Sequence, residues 1–189
     1  MKELAAFYFI FACCLGVGSW FFAVAEFIGA LFLQSWAFRL GPRALVIEEQ
    51  AECPNGLGTI ARGETERLKY RVLGDKRCLF RRKHRLFEFR WNTPLEIKGT
   101  VAWSEGKLIT SGRYPLGVMV FALAWLAGWT TAGILAIIKG HSSGIPFVAL
   151  GWVFIGAIFI HSRWLELRRF KDYAAELKSV LKGNPFDIR

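Results

Sequence analysis

Residues 4–38 read "LAAFYFIFACCLGVGSWFFAVAEFIGALFLQSWAF", with a single charged residue, Glu26. A bilayer core of roughly 30 Å needs about 20 consecutive apolar residues in a helix, so this run is long enough to cross one. As a single helix it measures about 52 Å and must tilt or project beyond the core. One long helix is the expectation; the alternative is a re-entrant hairpin bent at "GVGS". The run far exceeds the 7–15 residues of a signal-peptide core, and no small-x-small site ends it, so it is expected to stay in the protein.

Two further apolar runs lie toward the other end: "PLGVMVFALAWLAGWTTAGILAII" at 115–138 and, after the turn "KGHSSG", "IPFVALGWVFIGAIFI" at 145–160. Across 189 residues the chain is 53% hydrophobic and 15% aromatic, with mean hydropathy +0.31, well above a soluble domain. Three spans are the simplest count. The third is short, but "HSRWLELRRF" follows without a breaker, so its helix is expected to continue out of the membrane. Ser142, Ser143 and Pro146 mark its start.

Between the first two runs the pattern changes. Residues 39–114 carry 16 Lys and Arg against 9 Asp and Glu, and their apolar residues alternate. Leu68, Tyr70 and Val72 share a side; so do Phe87, Phe89 and Trp91, and Leu95, Ile97, Val101 and Trp103. Period two is the signature of half-buried strands. Gly74-Asp75, Asn92-Thr93-Pro94 and Glu105-Gly106 supply turns. With "ALVIEEQ" before and "KLITSGR" after, about six strands are expected in an antiparallel meander forming a small sheet, sandwich or open barrel. "AECPNGLGTIARGE" reads as a Gly-rich loop without phosphate-loop spacing.

The fold class is therefore an α+β integral membrane protein. Residues 1–38 form the first transmembrane segment, 39–114 an inserted β-rich domain, 115–162 a transmembrane hairpin, and 163–189 an amphipathic helix and tail. In that tail Leu167, Phe170, Ala174, Leu177 and Leu181 repeat at helical spacing, ended by Gly183 and Pro185. This apolar stripe is expected against the strand domain, with a partner helix or the membrane surface as the alternatives.

Cations concentrate in the β domain and the tail, which places both in the cytoplasm, with the N-terminus and the 139–144 turn outside. Size and charge suggest a bacterial inner membrane. Cys13 and Cys14 fall within a span, while Cys53 and Cys78 would be cytoplasmic thiols that need not be paired.

Glu26 is the sharpest candidate for function, because an ionisable group within a span is costly. Ala12, Gly16, Ser19, Ala23, Glu26 and Ala30 form one stripe of helical spacing, which lets a second helix approach closely. A matching stripe on the second span runs through Ala124, Gly128, Ala132 and Ala136. Arg113, His161 and Arg163 are the cations expected to reach Glu26 if it lies near the cytoplasmic boundary. The plainer alternative is an interfacial glutamate that meets water.

The second candidate is "RCLFRRKHRLFEFRW", residues 77–91. As a strand it turns Cys78 and Phe80 one way and Arg77, Arg81 and Lys83 the other, giving a basic outer face that includes Lys69, Arg71 and Arg90. Arg77, Arg81, Arg82, Lys83 and Arg85 are the residues expected to meet anionic lipid or an acidic partner, each cation contributing about 1 kcal/mol near a charged leaflet. The aromatics belong more economically to the core, so nucleic acid is disfavoured.

No cofactor or metal is expected, and enzymatic signatures are absent. The three histidines fall in different segments, there is no HExxH, CxxC or GxSxG, and Glu48 and Glu49 point to opposite faces of a strand. A Cys53–His84 pair has no evident third group. The expectation is a non-enzymatic membrane accessory, adaptor or protective (immunity-like) protein. It would act through helix contacts with another membrane protein or with itself, and through a basic membrane-facing β domain. The alternative is a self-contained effector or sensor whose β domain binds a small ligand and whose helices oligomerise. An enzyme acting on lipid is a distant third.

Overall fold

A computed structural model describes residues 2–50, 62–83 and 93–182. Its elements run α1 (Lys2–Leu31), α2 (Ser35–Arg39), β1 (Arg43–Gln50), β2 (Gly63–Glu64), β3 (Leu68–Val72), β4 (Arg77–Arg82), β5 (Lys98–Ser104), β6 (Lys107–Arg113), α3 (Leu116–Ile138) and α4 (Gly144–Lys182). The protein is α+β, and α1, α3 and α4 are each long and apolar enough to cross a membrane.

The first apolar run is one helix through "GVGS", without a re-entrant bend, but it stops at Leu31, short of residue 38. The stop has a local cause. Gln34 N–H donates to the Gly29 carbonyl and Leu33 N–H to Ala30, the paired bonds that close a helix on a left-handed residue. That residue is Leu33, at φ 53°. A leucine here is strained, and burial of its side chain among Ala30, Ala37, Phe38 and Leu79 holds it. The chain then turns into α2, which lies against the sheet.

The six strands form one antiparallel sheet in the order β1-β6-β5-β4-β3-β2. It is not the simple meander of the sequence reading, because β1 sits beside β6 and β1 and β2 form opposite edges. The reason lies in the insertion. A domain spliced between two helices needs adjacent ends, and the Arg43–Arg113 pairing with the Tyr114 N–H to Pro42 carbonyl bond provides them. Gly41 sits at this crossing with φ +92°, where a Cβ would strike the Tyr114 carbonyl. Six strands are present among the described residues, but β2 comes from the Gly-rich stretch, and the strand expected at 86–91 lies outside them. The β5–β6 hairpin turns on Glu105 and Gly106, both at positive φ, as its two-residue loop requires.

The third apolar run and the amphipathic tail are one continuous helix of 39 residues, about 58 Å long. Its first half packs along α3; its second half crosses one face of the sheet. There Phe170, Leu177 and Leu181 meet Leu68, Tyr70, Val72, Cys78, Phe80, Val101 and Trp103. Phe80 and Phe170 stack at 5.5 Å. The opposite face is covered in part by α2 and the end of α1, through Leu79. The sheet is thus held between helices on both sides, all within reach of one end of the bundle.

Candidate functional site

The joint between bundle and sheet centres on Glu26, which is 1% exposed. Its Oε1 accepts from Lys98 Nζ of β5 and, at 3.0 Å, from the Leu116 N–H; its Oε2 accepts from the Gly117 N–H. Leu116 and Gly117 are the first residues of α3, whose N-cap, Pro115, offers no side-chain cap. A helix N-terminus presents unpaired N–H groups and partial positive charge. Glu26 supplies from α1 the acceptor that the local sequence lacks. Gly117 makes the approach possible: a Cβ there would fall 2.5 Å from the Ala23 Cα.

Lys98 is equally buried, at 4% exposed, and also donates to the Ala37 carbonyl on α2. Burial lowers its pKa, and Glu26 opposes that shift. One ion pair therefore joins α1, α2, α3 and β5. Arg113, His161 and Arg163 do not fill this role; Arg113 instead donates to the Gly41 carbonyl at 2.7 Å. Lys98 and Arg113 are register partners, so the sequence reading missed the ion-pair partner by one strand.

A second buried carboxylate, Glu166 on α4, accepts from the Thr93 hydroxyl, from Arg169 at 3.2 Å and from the Ile97 N–H at 3.4 Å. Glu26 and Glu166 thus grip adjacent residues, Lys98 and Ile97, at the start of β5. Nothing in the spacing of Glu166 marked it; on a helix rich in charge it reads as an exposed residue.

Arg81 corrects the reading of an outward basic row, because it is buried at 5% exposed. Its Nη2 donates to the Leu31 carbonyl at 3.2 Å and its Nη1 to the Arg82 carbonyl at 2.9 Å. Arg71 reaches the Leu33 carbonyl at 3.5 Å. Two strand arginines therefore meet carbonyls at the C-terminal end of α1, where cations are favoured. Of the other residues expected to meet lipid or an acidic partner, Arg77 is exposed, Arg82 and Lys83 are half-buried, and Lys83 pairs with Glu64 at 2.9 Å. Arg85 and Arg90 lie outside the described residues, as do Cys53 and His84.

Along the α1 stripe Ser19, Glu26 and Ala30 are buried, Gly16 and Ala23 are half-buried, and the Ser19 hydroxyl donates to the Gly16 carbonyl; the side chain of Ala12 lies outside the described set. On α3, Ala124 is buried, but Ala132 is exposed and Gly128 has open space beside it. The α3–α4 approach uses Gly133 against Val148 and Gly151 against Trp129, which stacks on Phe147 at 4.3 Å.

Two recesses flank the joint. One, of about 320 Å³, lies between α1, α3 and the start of β5 and includes Glu26, Arg81 and Lys98. The other, of about 400 Å³, runs along the sheet beside α2 and is lined by Arg39, Arg43, Arg77 and Arg113, with Glu48 as its acidic member. Among the described residues no cluster of His, Cys, Asp or Glu has the makings of a metal site. No protein-family model, curated protein or solved structure matches the chain.

Proposed function

We propose that the protein is a non-enzymatic integral membrane accessory protein that holds a basic β domain rigidly against the cytoplasmic membrane surface, where it contacts acidic groups of the leaflet and of a partner membrane protein. The observation that carries this reading is the buried Glu26–Lys98 pair, which ties sheet to bundle while Arg39, Arg43 and Arg77 stay exposed along the groove beside α2. A domain fixed in this way presents its cations at constant height and angle. Phe32 and Trp36 near the end of α1, and Trp164 on α4 with Arg168 4.1 Å over its ring, are exposed at the same end of the bundle. Aromatic rings at that level suit a headgroup boundary. The surface assigned to lipid changes accordingly: Arg77 is kept, Arg39 and Arg43 join it, and Arg81 and Lys83 leave it.

Replacing Arg39, Arg43 and Arg77 together by Gln tests the surface. At low salt, binding of the tagged protein's β-domain face to nanodiscs containing anionic phosphatidylglycerol should fall at least tenfold, and neutral nanodiscs should show no difference. Equal binding by the variant would refute the lipid contact. Crosslinking followed by mass spectrometry from native membranes tests the accessory role: a stoichiometric heterologous partner is expected. A homo-oligomer alone would support the sensor reading, which the cavity beside Glu26 favours.

A further inference from the structure

The recess of about 400 Å³ beside α2 carries cations at its two ends and a neutral middle. Arg43 and Arg113 are register partners at the end next to α3, and Arg39 of α2 joins the same lining. Arg77 stands at the other end. It faces Ala102, and Ala102 faces Ile109, four residues along β6 from Arg113. At about 3.3 Å per residue the two ends are about 13 Å apart along the strands. The row between them holds Val46, Ser111 and Thr100, which are uncharged. The two hydroxyls bond each other at 2.7 Å, and Val46 is 42% exposed, so this row favours an apolar group above it. Arg39, Arg43 and Arg77 are exposed, and among the described residues the side chain of none of them has an ion-pair or hydrogen-bond partner. Glu48, the acidic residue of the described lining, lies on β1, three strands from Arg77 and so about 14 Å away. It leaves Arg77 free to take an anion from outside.

We infer that this recess binds an extended acidic segment of the partner membrane protein, in which an acidic, an apolar and a second acidic side chain occupy alternate positions. Alternate side chains of an extended chain share one face, and residues four apart are again about 13 Å from each other. One carboxylate meets Arg39 and Arg43, the apolar side chain covers Val46, and the second carboxylate meets Arg77, on the side away from Glu48. All the cations of the lining are arginines, whose planar forks match carboxylates bidentately. Lipid phosphates would meet these cations one at a time and leave Val46 uncovered. The inference rests on the accessory reading and gives its partner a recognisable sequence pattern.

The test titrates full-length protein in neutral maltoside micelles with a fluorescein-labelled eight-residue peptide containing Glu-Ser-Val-Ser-Glu, read by fluorescence anisotropy. The control peptide has the same composition with its two glutamates adjacent. The spaced peptide should bind at least fivefold tighter than the control, and Arg77→Gln should remove that preference. Soluble glycerophosphate at equal concentration should displace the bound peptide far less than unlabelled peptide does. Equal binding of the two peptides, an undiminished preference in Arg77→Gln, or equal displacement by glycerophosphate would overturn the assignment. The comparison of peptides on the unaltered protein decides the matter even if the variant does not fold. Equal peptide binding beside a stoichiometric crosslinked partner would refute this inference alone; a clear preference without any heterologous partner would uphold it and refute the accessory reading.

Discussion

The two faces of the sheet are covered by different chemistry. Against α4 the contact is apolar and stacked, with Phe80 on Phe170 and Leu68, Tyr70 and Val101 around them. Against α1 and α2 a small apolar cluster around Leu79 is flanked by charge: Arg81 and Arg71 on helix-end carbonyls, and Lys98 on Glu26. The first face is held by area removed from water and tolerates small shifts of position. The second is held by directed bonds, which fix position and penalise every unmatched partner. Cohesion and placement have thus been divided between the two faces.

The sharpest way to break that division is Glu26→Ala, which strands Lys98 in the interior and uncaps α3. A loss of about 3–5 kcal/mol is expected, measured as a shifted unfolding midpoint in a fixed detergent. Replacing both charges, as Glu26→Gln with Lys98→Met, should recover much of it. Recovery of stability with looser crosslinking between α1 and β5 would show that the pair serves position more than cohesion; no recovery would assign the loss to the α3 cap.

On the opposite face, Phe170→Ala should cost about 3–5 kcal/mol by leaving a cavity against Phe80. Here the near-ultraviolet circular dichroism of the sheet domain should weaken while the α1–β5 crosslink persists. Loss of that crosslink in step with stability would mean that the two faces do not act separately.

Cys78, buried on the α4 face, reports on the same packing. Burial pushes its pKa up to about 12 from an ordinary value of 9.0. A folded-state pKa above the unfolded one gives stability that is intact below pH 9 and is lost as pH rises toward 12. The slope is at most about 1.4 kcal/mol per pH unit. Cys78→Ala should flatten the alkaline limb relative to wild type, and in a protein where it is the sole cysteine the thiol should resist alkylation until unfolding. Identical alkaline limbs would mean that the thiolate is not excluded. At the small end, Glu64→Gln removes an exposed partner of Lys83 and Lys69 and should leave the unfolding midpoint unchanged. A clear shift would give the outer edge of the sheet a structural part it lacks here.

How far the sequence could be read follows the same line. The alternation of Leu68, Tyr70 and Val72 and the helical spacing of Phe170, Leu177 and Leu181 describe two surfaces that match, and they meet as expected. The hairpin at Glu105-Gly106 was equally plain, because its conformation is set by adjacent residues. β2 was missed because a two-residue strand carries no period. Arg81 was misread because polar residues on alternate positions signal solvent when one face of a sheet is assumed free, and Lys98 was passed over for the same reason. Glu26 was recognised as costly where it stands, but its partner was not.

By itself, then, the sequence determined the three apolar helices, the strand-rich insertion between the first and second, and the α4 face of the sheet, since each follows from periodicity and composition within a short window. Only the tertiary structure decided that β1 returns beside β6, that α1 ends on Leu33, and that Lys98 answers Glu26. These depend on which distant segments share a few ångströms. A buried charge is stabilised by the one group placed opposite it, and residue spacing along the chain does not specify that group.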